Sequence, residues 1–236
     1  MTVISGRGRE KFFRGPSGPG PSEHPLTINP SYAPAAPIVP VPKKDGRFRI
    51  CGDYKVTANQ VLSVEQYPLP KPEDLFATLA GGQAFSKLDL SQAYLQVQLD
   101  EPSRPYLTIN THQGLYQYKR LPFGVASAPA LFQKMMDEVL QRIPGVICYI
   151  HDILVTGKDE ESHLKSLKEV FQRLETHGFR LKREKCEFLL PSVEYLGHQI
   201  SKDGIQALPS KVAAIEQAPA PTNVQELCSF LGLLNC

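Results

Sequence analysis

The sequence holds no uninterrupted apolar run approaching the roughly eighteen residues that a membrane-spanning helix needs. Its opening, MTVISGRGREKFF, lacks the apolar core of a signal peptide. Cysteine is sparse: Cys51, Cys148, Cys186, Cys228 and Cys236 are scattered and form no Cys-x-x-Cys pair. That argues against zinc ribbons and disulfide scaffolds and for reduced thiols. Net charge is nearly absent, since 26 basic and 24 acidic residues leave only +2. So small a charge makes no case for a nucleic-acid partner by itself, and any basic surface must be local. No internal repeat is visible. Together these absences describe a soluble intracellular protein, in cytoplasm or nucleus, with no membrane partner.

What is present is a chain of 236 residues, 42% of them hydrophobic, enough for one large domain or two small ones with a real core. Nine prolines between residues 15 and 42 mark residues 1–35 as a disordered leader, with order beginning near Ala36. PIVPV and RFRIC then read as short strands joined by a turn at KKDG. PEDLFATLAGG reads as a short helix, AFSKLDL as a strand, and YLQVQL as a strand that places Leu95, Val97 and Leu99 on one face. YLTIN and GLYQYKR form an antiparallel pair.

Residues 127–143 carry apolar side chains at helical spacing, with Ser127 as the cap. A second helix runs from about Glu160 to His177, with Leu164, Leu167, Val170, Phe171 and Leu174 on one face and Gly178 as its stop. CEFLL and VEYLGHQI read as paired strands, and PSKVAAIEQA and NVQELCSFLGLLN as helices. The last of these clusters Phe230, Leu231, Leu233 and Leu234, as if the chain belonged to a larger architecture.

Residues 145–157, GVICYIHDILVTG, raise the chemical question. Two ionisable side chains, His151 and Asp152, interrupt an apolar run that a buried strand would keep uniform. A β-hairpin whose tight turn holds both residues gives them a way out of the apolar layer. Asp89, at the end of the strand in KLDLSQAY, is a candidate second carboxylate. Oxygen ligands from two neighbouring strands suit Mg²⁺, especially with substrate phosphates completing its shell. Two ions about 4 Å apart serve an in-line displacement. From the residues alone, a hydrogen-bonded structural His and Asp in a turn stands beside the metal site as an alternative.

The stretches APIVPVPKKDGRFRICGDYK, QYPLPKPEDLFATLAGGQAFSKLDLSQAYLQVQLDE, YLTINTHQGLYQYKRLPFGVASAPALFQKMMD, GVICYIHDILVTG and VEYLGH, in this order, resemble the reverse transcriptase of gypsy-type LTR retrotransposons and their retroviral relatives. The resemblance runs from about Ala36 to Asn235. It implies an α+β fold: the fingers and palm of a right-hand polymerase over residues 36–200, with an antiparallel palm sheet packed on helices. Residues 201–236 would begin the thumb or connection, with most of the thumb and the whole RNase H region missing.

The resemblance also implies the site. Asp89 matches the first catalytic aspartate, and residues 149–152 occupy the family's Tyr-x-Asp-Asp hairpin, with Asp152 as its second aspartate and His151 where its first should stand. Lys43 and Arg49 match residues that hold the triphosphate. Tyr94 matches the ring beneath the incoming sugar, where bulk rejects a 2′-hydroxyl, and Phe123 and Gly124 line the nucleotide pocket. Tyr149, Tyr195 and Gly197 fall near primer and template, and the strip Arg180, Lys182, Arg183 and Lys185 faces either phosphates or solvent. The implied partners are an RNA template, a DNA primer and deoxynucleoside triphosphates. The implied cofactor is a pair of Mg²⁺ ions, weakened here because a neutral imidazole is a poor Mg²⁺ ligand, with Mn²⁺ as a partial substitute. Two alternatives to an impaired polymerase are an inactive remnant and a copy co-opted for nucleic-acid binding. Oligomeric state is left open.

Overall fold

The computed structural model of the chain describes residues 13–14, 25–28, 34–43, 46, 48–61 and 67–234. Most of the proline-rich leader, and Lys44 and Asp45 of the KKDG turn, lie outside these residues. Within the leader, β1 (Phe13–Arg14) and β2 (Leu26–Ile28) are strands, so disorder does not extend through residues 26–28 as expected. β3 (Ala36–Pro42) and β4 (Phe48–Gly52) pair antiparallel, Val41 opposite Arg49. The short helices α1 (Ala58–Val61) and α2 (Pro72–Thr78) follow. Pro72, Glu73 and Asp74 in the first turn of α2 suit its electropositive N-terminus.

β5 (Ala84–Asp89) leads into a correction. YLQVQL is not a strand over its length: Ala93–Gln96 form a 3-10 turn entered through Gln92 at φ 47°, and only β6 (Gln98–Leu99) is extended. Local bonds displace the ladder here. Val97 N–H donates to the Tyr94 carbonyl at 3.0 Å, and the Gln96 side chain donates to the Ser91 carbonyl at 2.6 Å. The alternation was nonetheless informative, because Val97 and Leu99 are both buried.

β7 (Thr108–Thr111) and β8 (Gly114–Tyr118) form the expected antiparallel pair. β2 joins the outer edge of β8, giving a five-stranded sheet in the order β2-β8-β7-β3-β4. Ser127 stands at the expected N-cap of helix α3 (Ala128–Leu140), but with αR dihedrals and no capping bond from its side chain, and Pro129 sits in the first turn.

β9 (Val146–Tyr149) and β10 (Asp152–Gly157) form the hairpin, and α4 (Glu160–Thr176) starts with a capping box between Asp159 and Ser162. The buried face of α4 is rotated from the expected one. His163, Ser166, Leu167, Val170 and Leu174 are buried, whereas Leu164 and Phe171 are exposed. β11 (Glu187–Leu190) pairs with β5, not with VEYLGHQI. That segment folds on itself as β12 (Ser192–Tyr195) and β13 (His198–Ser201), because Leu196 and Gly197 at φ 48° and 77° make a two-residue turn. β14 (Gly204–Ala207), α5 (Pro209–Glu216) and α6 (Val224–Leu234) complete the described chain.

The central antiparallel sheet has the order β11-β5-β10-β9. One face, with Leu88, Ile153 and Val155, packs on Phe132, Met136 and Val139 of α3 and Leu167, Val170 and Leu174 of α4. The other face, with Phe85, Ile147 and Leu154, packs on Phe76 and Leu79 and on Val193, Tyr195 and Ile200. Cover on both sides explains why Ile153, Leu154 and Val155 run consecutively without a polar residue between them. This is the expected palm, an antiparallel sheet packed on helices.

His163 ties three of these elements together. It is fully buried, with Nδ1 at 3.1 Å from the Ala84 carbonyl and Nε2 at 2.8 Å from the Ser86 hydroxyl, which itself accepts from Leu189 N–H. Burial pushes its imidazole below the ordinary histidine range, partly opposed by the bond to Ala84. The unfolded chain therefore takes up this proton at a higher pH than the folded one. Stability is fully present above about 6.5 and falls as the pH drops through the lowered value. Thermal melts across that range should show the decline, and His163→Gln should flatten it.

Candidate active site

The register of β5 on β10 makes Asp89 and Asp152 direct cross-strand partners. On the other side Tyr149 pairs with Asp152, so the hairpin loop is Ile150 and His151. The turn therefore holds Ile150 with His151, and Asp152 opens the strand, one residue from the expectation. Ligand atoms of Asp89, His151 and Asp152 all lie within 4.8 Å of one another. Asp89 is nearly buried at 9% exposure, Asp152 is half-buried and His151 is exposed at the tip. Lys185 Nζ stands 3.1 Å from Asp89 Oδ2, and Lys182 N–H donates to the Asp89 carbonyl at 2.8 Å.

Ile150 sits at φ 54°, a left-handed conformation that a β-branched residue adopts only when its surroundings impose it. The two-residue connection between the paired Tyr149 and Asp152 calls for it, and Gln133 of α3, with no exposed surface, anchors it. Its Oε1 accepts from Ile150 N–H at 2.7 Å, and its Nε2 donates to the Cys148 carbonyl at 3.0 Å and to Asp137 Oδ1 at 2.8 Å. Tyr67 closes the chain by donating its hydroxyl to Asp137 Oδ2 at 2.6 Å, a bond that pushes the phenol up to about 12. Sequence reasoning missed this set. Its one signal was a glutamine on the apolar side of α3, beside Phe132 and one turn from Met136.

The residues matched to the nucleotide pocket form a stack. The Arg49 guanidinium lies 4.4 Å from the centre of the Phe123 ring. Phe123 meets Tyr94 at 5.2 Å, and Tyr94 meets Phe132 edge-on at 5.5 Å. Gly124 follows at φ 102°, and a Cβ there would run into the Gly52 carbonyl. Asn59, also missed, holds this loop with bonds to the Gly124 carbonyl and from Ala126 N–H at 3.0 and 2.9 Å. Lys43 lies half-buried just past β3.

Two residues expected near the primer differ in setting. Tyr195 is 1% exposed, and its hydroxyl donates to the Asp152 carbonyl at 3.0 Å. It braces the start of β10 from within the core, and burial pushes its phenol well up. Gly197, in the turn between β12 and β13, is accessible beside Lys211. Tyr149 is half-buried next to the hairpin loop. In the basic strip, Arg180, Arg183 and Lys185 are exposed. The Arg180 carbonyl accepts from Ser91 N–H, which brings the strip to the end of β5.

A donor set of two carboxylates and an imidazole is chemically able to hold a divalent ion, but imidazole departs from the all-oxygen set that Mg²⁺ selects. Among the described residues, no helix is long and apolar enough to cross a membrane.

Comparison with known proteins agrees with the geometry. A transposon opus polyprotein of Drosophila melanogaster, described as a retrovirus-related Pol polyprotein, is 38% identical over 214 residues, covering 87% of this chain and 21% of its own length. An uncharacterised Caenorhabditis elegans protein, K02A2.6, is 42% identical over 200 residues, covering 84% of this chain and 16% of its own. The chain thus spans about a fifth or less of these relatives. A foamy viral protease-reverse transcriptase solved with double-stranded DNA superposes with a TM-score of 0.81 at 29% identity, over 89% of this chain and 37% of that one. The same enzyme with an RNA/DNA hybrid gives 0.76 at 28%, over 89% and 28%. The family model described as reverse transcriptase (RNA-dependent DNA polymerase) matches residues 41–200, a span that carries the paired aspartates, the hairpin and the stacked rings. By that match and by its palm and fingers, the chain belongs to the reverse transcriptase family.

Proposed function

We propose that this chain is the fingers and palm of an RNA-directed DNA polymerase of a retroelement, weakened at its metal centre by His151. The observation that carries the reading is the cross-strand pairing of Asp89 with Asp152 at the mouth of the hairpin, with the ring stack formed by residues of neighbouring elements. Divalent ions, when bound, supply activation of the primer hydroxyl and neutralise charge on the transferring phosphate. Asp89 and Asp152 are the residues that would hold them. Arg49 and Lys43 bind the triphosphate, the guanidinium bidentately and kept in place by Phe123. Tyr94, wedged between Phe123 and Phe132, closes the space beside the sugar C2′. Tyr149 and Gly197 lie on the primer side, while Tyr195 acts from behind through the Asp152 carbonyl.

Template-directed incorporation on an RNA template by the His151→Asp form tests the reading, and no incorporation in either Mg²⁺ or Mn²⁺ would count against it. In that form Tyr94→Val should admit ribonucleotides, lowering the preference for deoxynucleotides by about tenfold to a hundredfold, as expected when a steric exclusion worth a few kcal/mol is removed.

A second reading, retention as a nucleic-acid-binding module, is favoured by His151 together with the exposed Arg180, Arg183 and Lys185. The foamy viral relatives were solved on double-stranded DNA and an RNA/DNA hybrid. Affinity for a hybrid duplex should fall linearly with salt on a logarithmic plot. Reversing the charge of Arg180 and Arg183 should reduce the slope. Salt-independent or undetectable binding would remove this reading.

A further inference from the structure

We propose that Asp89, His151 and Asp152 form a site for a single borderline transition-metal ion of the zinc or cobalt type, and that the same three residues disfavour a pair of magnesium ions. This rests on the metal centre of the reading above but not on any polymerisation.

Geometry comes first. Three donor atoms within 4.8 Å of one another are close to what one ion gathers, because ligands about 2.0–2.2 Å from a common centre stand at most roughly 4.4 Å apart. Two ions about 4 Å apart need carboxylates that bridge them, one oxygen to each. His151 offers a single nitrogen lone pair and cannot bridge. Asp89 already has Oδ2 engaged by Lys185 at 3.1 Å. Only Asp152 keeps both oxygens available for two ions.

Charge points the same way. Two carboxylates, one ammonium and a neutral imidazole leave a single net negative charge, against four positive charges on two divalent ions. One divalent ion can be balanced here with a hydroxide or one anionic ligand. Donor chemistry then selects among ions: imidazole suits zinc, cobalt and nickel, whereas magnesium seeks an octahedron of oxygens and dehydrates reluctantly.

The site is also held in place before any ion arrives. Gln133 fixes the Ile150 backbone, Leu90 N–H donates to the His151 carbonyl at 3.3 Å, and Tyr195 braces Asp152. Such support behind the ligands is what sharpens selectivity in metal sites.

The metal-stripped chain would be titrated with Co²⁺, following visible d–d absorption and the His151 imidazole by NMR. Saturation at one ion is expected, with the His151 signals broadened first, displacement by Zn²⁺, and no displacement by a thousandfold excess of Mg²⁺. His151→Ala should weaken Co²⁺ by more than the roughly 10–100-fold that follows loss of a group behind the ligands. His151→Asp should lower the Co²⁺ preference and let Mg²⁺ compete. Both changes are at an exposed loop tip, so the fold survives them. Three results would overturn the proposal: unchanged Co²⁺ affinity in His151→Ala, a stoichiometry of two, or thiolate charge-transfer bands placing the ion on cysteine. Failure of primer extension leaves this assignment standing, because the titration reads binding alone.

Discussion

Replacing His151 with aspartate should raise primer extension on an RNA template in Mg²⁺ by about a thousandfold or more, corresponding to roughly 4 kcal/mol of barrier. The expectation follows from what the substitution restores. A third carboxylate returns a negative charge and two oxygens at the hairpin tip, where the ligand atoms of all three residues already lie within 4.8 Å. It can bridge, which the imidazole cannot, and it replaces a nitrogen donor with the hard oxygen that Mg²⁺ selects. Mn²⁺, which tolerates imidazole better, should narrow the gap between the two forms by raising the rate of the unaltered chain. Single-nucleotide incorporation, measured under conditions where one addition suffices, is the decisive assay because it does not depend on grip during translocation. Equal rates for the two forms in Mg²⁺ would show that the third carboxylate is not what limits the chemistry.

The second large effect concerns a residue that touches no substrate. Gln133→Leu should cost about 2–4 kcal/mol of stability and release the hairpin loop. Leucine is close in size, so the loss is not a cavity. It is the orphaning of the Ile150 N–H, the Cys148 carbonyl and one oxygen of Asp137, each now paired with Gln133. Without the Oε1 acceptor, Ile150 at φ 54° loses its side-chain anchor, and its backbone should relax toward negative φ and carry His151 with it. Urea melts would give the stability loss. Amide exchange would show protection lost at Ile150 while Val155 and Val170, both fully buried, stay protected. Protection unchanged at Ile150 would mean that the turn holds its shape without Gln133.

Much of this architecture was legible in the chain. Period-two and period-3.6 patterns located most of the strands and helices. The hairpin was legible because its polar residues broke an apolar run. What escaped was whatever depended on register or on a distant partner. YLQVQL kept its alternation of burial while its backbone coiled, because Gln96 could bond locally. CEFLL found β5 rather than its neighbour in sequence, a choice made by the sheet and not by the segment. Asp89 could be named as a candidate partner of the hairpin from its place at a strand end, but its direct register opposite Asp152 could not be read, since nothing near either residue specifies the other. Tyr195 was matched to a place near primer and template, and only its packing on the palm sheet, with its hydroxyl on the Asp152 carbonyl, reveals it as an internal brace.

The pairing of β2 with β8 bears on how this protein would behave in a test tube. Leu26, Thr27 and Ile28 lie opposite Tyr118, Gln117 and Tyr116, and the Pro25 carbonyl accepts from Lys119 N–H at 2.8 Å. Three residues thus close the outer edge of a five-stranded sheet. A chain begun at residue 34, or clipped just before it, would bare a row of unpaired backbone groups on β8, flanked by the aromatic rings of Tyr116 and Tyr118. Such an edge invites pairing with a second copy. Material shortened in that way should lose solubility before it loses its fold.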